Sequence, residues 1–425
     1  MRILLVGSGG REHALAEAIR RSPRTTELFL APGSDALAAL GTCVDLAADD
    51  VEGITRFARE TKIDLAVIGP EMPLVKGLAD LLEAAGVKVF GPKKAAAQLE
   101  GSKVFIKNLL RKYHIPTAEF RVFTEPHVAE IYVTEQVTSY PIVVKADGLA
   151  AGKGVVVAQD AAEAKDAVDR MMRRLEFGEA GRRVVVEECL VGEEISVLAV
   201  TDGKTFCTLE PARDHKRVFD GDAGPNTGGM GAFCPSPLWT PALEQEIESR
   251  VLVPTLHALN REKLEYRGLL YAGIMLTGEG PKVLEYNCRF GDPETQVILP
   301  RLTTDFVEIA LRTAEGKLEE LPALQFAPEV ALTVVLASGG YPGPFKKGLR
   351  IRGLEEAAAV PGVRLHHAGT RRDGDQWVTN GGRVLGVTAL GGSLEEARHR
   401  AYQAAGRIEW EGLHYRRDVG VLRTA

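Results

Sequence analysis

An apolar run, Ile3-Leu4-Leu5-Val6, passes directly into Gly7-Ser8-Gly9-Gly10 and then into Arg11–Arg20, which has helical spacing. An unbroken apolar run suits a strand covered on both faces, and such strands belong to parallel sheets flanked by helices. A glycine turn between that strand and a helix commits the chain to an α/β unit from its first residues. Similar runs recur at Leu28-Phe29-Leu30, Leu65–Ile68 and Val87–Phe90, with helical segments between them. Residues 1–100 therefore read as a doubly wound parallel α/β domain, ending in a linker near Gly91-Pro92 to Gly101.

The chain's 425 residues leave room for about two further domains. Residues 101–328 mix helices with β hairpins. Inside them, about 115–188, Pro141–Lys145 and Gly154–Ala158 read as two strands joined by a glycine-rich loop, the core of a small α/β flap subdomain. Residues 329–425 open with Ala331–Val335, carry short strands and glycine turns, and predict a helix around Leu394–Ala405: a C-terminal α+β domain. The net charge of −6, with no Lys/Arg block, excludes a sequence-independent nucleic-acid binder. Cys43, Cys189, Cys207, Cys234 and Cys288 form no C-x-x-C pair, as expected of reduced thiols in the cytoplasm. No window approaches a membrane span, and the apolar start is too short for a signal-peptide core.

The chemistry concentrates in Val283–Glu294. A strand sends alternate side chains to one face, so Glu285 and Asn287 converge and Arg289 continues the row. Hard oxygen ligands so placed suit Mg²⁺ shared with substrate phosphates, and a guanidinium fork suits a carboxylate or phosphoryl group. The bland alternative is a half-buried strand with a solvated polar face. The loop Gly7–Gly10 lacks the G-x-G-x-x-G spacing of a dinucleotide site, so a sugar phosphate fits it better than a nicotinamide cofactor. Glu71, in the loop after the Leu65–Ile68 strand, faces the ligand edge of such a sheet and suits ribose hydroxyls, or simply caps a turn. Lys145 ends a buried strand before Asp147-Gly148-Leu149-Ala150-Ala151-Gly152-Lys153-Gly154, an arrangement suited to a nucleotide phosphate beneath a lid rather than to a P-loop. Lys103 at a helix start is a weaker phosphate candidate. Glu187 and Glu194 flank a strand–linker–strand that suits adenine and ribose. Asp214–Arg217 and Pro225–Gly231 are polar, turn-rich loops, with His215 a possible general base. There is no G-x-S-x-G elbow and no activated cysteine, so a nucleophilic triad is not supported.

Lys103, Lys145, the glycine flap, Glu187, Glu194 and Glu285-x-Asn287-x-Arg289 occur in the order of the ATP-grasp ligases. Gly9–Ala14, Gly69-Pro70-Glu71, Lys145–Gly154, Asp214–Arg217, Pro225–Gly231, Asn287–Glu294 and Thr379–Val384 resemble the glycinamide ribonucleotide synthetase family of purine biosynthesis, over nearly the whole chain. The resemblance implies an ATP-grasp core. It also implies an enzyme joining glycine to 5-phosphoribosylamine with ATP through glycyl phosphate, without a covalent enzyme intermediate. It assigns ATP to Lys103, Lys145, Gly148, Gly152, Gly154, Glu187, Leu190 and Glu194. It assigns Mg²⁺ or Mn²⁺ to Glu285 and Asn287, and catalysis to Arg289, Lys145 and Asp214. The substrates would meet Gly9, Gly10, Gly33, Glu71, Asp214, Arg289 and Gly291. Two departures stand out: Ser34 replaces the family's usual Asn after Pro32-Gly33, and Ala272–Leu276 offers no second metal acid. The expected partners are small molecules alone, and the expected state is a cytoplasmic monomer. Alternatives are another ATP-grasp carboxylate–amine ligase of purine biosynthesis, a nucleotide-binding oxidoreductase, and an inactive ATP-grasp binding module.

Overall fold

The computed structural model describes residues 1–150 and 154–422. Strands β1 (Arg2–Gly7), β2 (Glu27–Pro32), β3 (Thr42–Cys43), β4 (Leu65–Ile68) and β5 (Lys88–Phe90) form one parallel sheet in the order β3-β2-β1-β4-β5. Along β1, Leu4 and Val6 enter one apolar core while Ile3 and Leu5 enter another. Both faces are therefore covered, which is why the run is continuous rather than alternating. Helix Gly10–Arg21 follows the glycine turn, with Glu12 in its first turn accepting the N–H of Gly9 at 2.7 Å.

The segment expected as a linker is packed instead. Gly91 donates its N–H to the Arg267 carbonyl at 3.0 Å, and Ala96, Ala97 and Leu99 join the core that also holds Leu4 and Val283. A shared core makes the first two regions one packed body rather than beads on a string.

β6 (Phe120–Phe123), β7 (Ile142–Ala146), β8 (Val155–Ala158) and β9 (Val184–Glu188) form an antiparallel sheet in the order β6-β9-β7-β8, with a core of its own around Val144, Val168 and Met171. The β7–β8 hairpin is the expected glycine flap. β10 (Glu193–Thr201) and β11 (Phe206–Thr208) join the central sheet. β12 (Arg213–Asp214), the hairpin β13 (Arg217–Phe219) and β14 (Ala223–Asn226), and β15 (Gly231–Cys234) follow. β16 (Gly268–Thr277) and β17 (Gly280–Asn287) complete the central sheet, ordered β11-β10-β16-β17.

β18 (Val330–Ala337), β19 (Arg350–Ile351), β20 (Val363–His367), β21 (Thr370–Asp373), β22 (Gln376–Thr379) and β23 (Arg383–Gly391) belong to the last region. Its main sheet, β12-β15-β18-β23-β20, takes two strands from residues 213–234, so the central and last regions share a sheet. The expected helix spans Leu394–Ala405, capped by Ser393 accepting from Glu396 N at 3.2 Å, and buries Ala397, Ala401, Ala404 and Ala405. Among the described residues no helix is long and apolar enough to cross a membrane.

Candidate active site

β17 carries Glu285 and Asn287 on one face, as the period of two requires. The β16–β17 register skips Leu284: Gly273 pairs with Glu285, whereas Ile274 pairs with Val283. Such a bulge re-aims the side chain beside it. Gly273 lies directly beneath Glu285: a Cβ there would just touch Glu285 Cγ, at 3.4 Å. β17 ends at Asn287, yet Arg289 stays on the same side: its Nη2 donates to Asn287 Oδ1 at 3.2 Å.

Arg289 is held from two directions. Nη2 lies 2.8 Å from Glu100 Oε1, and Nε lies 3.3 Å from Glu71 Oε2. Glu100 also accepts the Cys288 N–H at 2.7 Å, so one carboxylate fixes both the backbone and the guanidinium of this strand end. Burial alone would lower the Arg289 pKa, but Glu100 and Glu71 outweigh it and raise it. Burial pushes the Glu100 carboxyl up, and Arg289 offsets only part of that rise. Burial also opposes the charge on Glu71, but Arg289 and Arg11 outweigh it, so its carboxyl sits below the usual range.

Lys216 is a second member that the sequence reading left out. Its ammonium pairs with Glu194 and lies 4.0 Å from Glu285 Oε1. Despite burial, Glu194, Asp214 and Glu285 push the Lys216 pKa well above its ordinary value. Despite burial, Lys216, Lys145 and Lys103 hold the Glu285 carboxyl low. Asp214, on β12, is pushed up to about 6 by burial, against the pull of Lys216 and with the help of Glu294. Ser196 Oγ lies 3.4 Å from Asp214 Oδ1 and 2.8 Å from Tyr271 Oη, and Tyr271 donates to Glu294 Oε1 at 2.6 Å. His215 is not placed as a base. Its Nε2 accepts the Gly420 N–H at 3.3 Å, and burial, with Arg416 nearby, lowers its pKa to about 4.

The flap side gathers the lysines. Lys145 Nζ lies 2.9 Å from Glu187 Oε2 and 3.4 Å from the Leu284 carbonyl, at the foot of the metal-strand candidates. Lys103 Nζ donates to the Gly148 carbonyl at 3.3 Å. Asp147 ties flap to helix: its Oδ1 accepts from Ser102 Oγ and Val104 N, both at 2.7 Å, capping helix Lys103–Lys112. Gly148 and Gly154 sit in close-packed turns, where a Cβ would approach Ala180 Cβ at 2.7 Å and Ala150 Cβ at 2.6 Å respectively. Leu190 lies half-buried in the β9–β10 link. Gly152 lies outside the described residues.

In the glycine turn after β1 one backbone donor is taken from within the chain. Glu12 Oε2 occupies the place of an anion on Gly9 N, so that N–H is already satisfied. The turn faces Asp292: a Cβ on Gly9 would lie 3.7 Å from Asp292 Oδ2, and one on Gly10 would lie 2.9 Å from Gln296 Nε2. Gly33 has φ +71°, and its Cβ would meet Cys43 Sγ at 2.5 Å, so glycine is required there. Ser34 Oγ caps a short turn by accepting Leu37 N at 3.3 Å. At Gly291 a Cβ would meet Glu294 Oε2 at 2.4 Å. Arg383, from β23, closes the corner: Nη1 donates to the Gly228 carbonyl at 2.6 Å and the Asp292 carbonyl at 2.7 Å, with Nη2 3.3 Å from Asp292 Oδ2.

The donor set fits a hard divalent cation. Glu285 and Asn287 offer oxygens side by side, and the site already attracts a cation, Lys216, to within 4.0 Å of Glu285. Among the described residues no group of three or more His, Cys, Asp or Glu side chains is placed to hold a metal ion.

Comparison with known proteins settles the family. Models of the phosphoribosylglycinamide synthetase N domain, ATP-grasp (A) domain and C domain match residues 1–100, 101–295 and 331–422. The chain belongs to the phosphoribosylglycinamide synthetase family. A phosphoribosylamine–glycine ligase of Rhodopirellula baltica is 50% identical over 98% of this chain and 96% of its own length. One from Caldanaerobacter subterraneus is 48% identical over 99% of each. The crystal structure of phosphoribosylamine–glycine ligase from Thermotoga maritima superposes with a TM-score of 0.83 at 36% identity, covering 98% of this chain and 100% of that one. The biotin carboxylase domain of a Hydrogenobacter thermophilus 2-oxoglutarate carboxylase shares the fold, with a TM-score of 0.74 at 16% identity over 97% of this chain and 91% of that one. The ATP-grasp architecture expected from the sequence is thus the one observed.

Proposed function

We propose that this family member ligates glycine to 5-phosphoribosylamine, giving glycinamide ribonucleotide, ADP and phosphate in purine biosynthesis. One observation carries the arrangement of substrates: Arg289 joins Glu71, at the ligand edge of the first sheet, to Asn287 at the end of β17, the edge strand of the central sheet. A phosphoribosyl ligand at the first and a metal nucleotide at the second would meet at one guanidinium.

In this reading a glycine carboxylate oxygen attacks the γ-phosphorus, forming glycyl phosphate and releasing ADP. The amine nitrogen of phosphoribosylamine then attacks the carbonyl carbon. The C–N bond forms, the C–O bond to phosphate breaks, and the nitrogen gives up a proton. Arg289 orients the carboxylate and neutralises the transferring phosphoryl group. Lys103 and Lys145 hold ATP phosphates beneath the Gly148–Gly154 flap. Glu187 and the Leu190 backbone meet adenine, and Glu194 meets ribose once Lys216 releases it. Glu285 and Asn287 would hold Mg²⁺ or Mn²⁺, which supplies neutralisation of phosphate charge. Asp214 takes the glycine ammonium, helped by its surroundings of Ser196 and Glu294. Gly9, Gly10, Gly33, Glu71 and Gly291 shape the phosphoribosyl and glycine side. Residues 1–100, 101–328 and 329–425 act together as a cytoplasmic monomer on small molecules only.

Glycine labelled with ¹⁸O in its carboxylate tests the route. One labelled oxygen should appear in the released phosphate. Unlabelled phosphate would exclude a glycyl phosphate.

A further inference from the structure

Glu187 is a buried carboxylate with an uneven environment. Its side chain is 2% exposed, and two ammonium groups share one oxygen: Lys145 Nζ at 2.9 Å and Lys107 Nζ at 3.0 Å from Oε2. The other oxygen, Oε1, is buried and has no hydrogen-bond partner among the described residues. A bare buried carboxylate oxygen is costly and marks a place where a donor belongs.

The two lysines are not equivalent. Among the described residues Lys145 has, besides Glu187, a long contact to the Leu284 carbonyl at 3.4 Å, and its side chain is 9% exposed. Lys107 lies one helical turn after Lys103 on helix Lys103–Lys112, with its side chain 2% exposed. It donates to Thr117 Oγ1 at 2.7 Å, and Thr117 in turn donates to the Val283 carbonyl of β17 at 2.6 Å. Its ammonium also lies 5.6 Å from the centre of the Phe120 ring. Lys107 is therefore anchored to β6, β9 and β17 together, whereas Lys145 is free to turn toward a phosphate.

We infer that Lys107 is the positioning residue for purine recognition. It holds Glu187 by Oε2 so that Oε1 faces an exocyclic N–H donor of the base, and it remains the counter-ion of Glu187 when Lys145 swings to the nucleotide phosphates. The inference rests on the proposed nucleotide site and adds to it a positioning residue, read through the base selectivity of that site. A 6-amino purine offers Oε1 the donor it lacks. A 6-oxo purine places an acceptor against a carboxylate oxygen and is rejected. Without Lys107, Lys145 becomes the sole partner of a buried anion and is withheld from phosphate.

The test is calorimetric binding of MgADP and MgGDP to the full chain, which needs neither co-substrate. Lys107→Met should weaken MgADP by about tenfold to a hundredfold, the range of one charge-assisted hydrogen bond, and should reduce the ADP-over-GDP preference. A double-mutant cycle with Glu187→Gln separates positioning from mere support. The Lys107→Met penalty should largely vanish in the Glu187→Gln background. An equal penalty in both backgrounds, or a wild-type ADP-over-GDP preference in Lys107→Met, overturns the inference. Lys107→Gln, which keeps a donor toward Oε2, enters the same cycle if the Met variant does not fold. Wild-type protein that binds MgADP selectively yet releases no phosphate with glycine and phosphoribosylamine would instead refute the proposed ligase and leave this inference standing.

Discussion

Replacing Arg289 with Met should damage the fold as well as the chemistry, because Glu100 depends on that guanidinium. The pair is 2.8 Å apart, with side chains 17% and 7% exposed. At an effective dielectric of about 20 that separation corresponds to about 6 kcal/mol of attraction before desolvation. Removing one member of such a buried pair typically costs about 3–5 kcal/mol. With unfolding entropy near ~2.1 cal/mol/K per residue, the 425-residue chain changes by about 0.9 kcal/mol per kelvin, so Tm should fall by about 3–6 °C. The loss should depend on pH. The Glu100 carboxyl is already raised by burial, and without Arg289 it rises further. A group with a raised folded pKa contributes its stability at low pH and loses it as pH climbs from the unfolded value through the folded one. The gap between variant and wild type should therefore be small near pH 5 and full at pH 8, read by calorimetric scans at both. Arg289→Met/Glu100→Gln should recover most of the stability and none of the turnover. A gap below about 1 °C at pH 8, or one equal at both pH values, refutes the assignment.

Glu285→Gln should lower kcat by about a hundredfold or more while changing the glycine KM little, since the lost charge is felt most where phosphate charge moves; wild-type turnover would contradict the metal role. Burial raises the Asp214 carboxyl to about 6, so the anion grows in as pH rises through that value. Steady-state kinetics should accordingly show the glycine KM falling between about pH 5 and pH 7 in the wild type and flat in Asp214→Asn. Arg383→Ala removes the clamp between Gly228 and Asp292, and amide exchange should accelerate across Thr227–Gly231 with little change in β18.

The periodic parts of the molecule were legible in the chain. Ile3–Val6 follows from an unbroken apolar run ending in glycines, the β7–β8 flap from two apolar runs around a glycine-rich loop, Glu285-x-Asn287 from a two-residue repeat, and helix Leu394–Ala405 from its apolar spacing. The partners were not. Glu100 lies 188 residues before Cys288, whose N–H it accepts, and Arg383 lies 91 residues after Asp292. No local pattern marks such pairs. Lys216 stood in plain view within Asp214–Arg217, but its proximity to Glu285 depends on the Ser196–Ala212 bridge, which sets the segment before β12 beside β10, two strands from β17. The packing of the supposed linker was hidden for a related reason: Gly91-Pro92 is turn chemistry, yet Leu99 beyond it is buried in the shared core and Glu100 pairs with the distant Arg289. His215 lost its proposed role to Gly420, a contact no spacing could foretell.

Phosphate release from MgATP with phosphoribosylamine generated in place, measured with and without glycine, puts the ligase activity to the test. Stoichiometric phosphate, ADP and glycinamide ribonucleotide should appear only when both co-substrates are present. Phosphate released at the same rate without glycine would contradict it, and would require another carboxylate at Arg289 and Asp214.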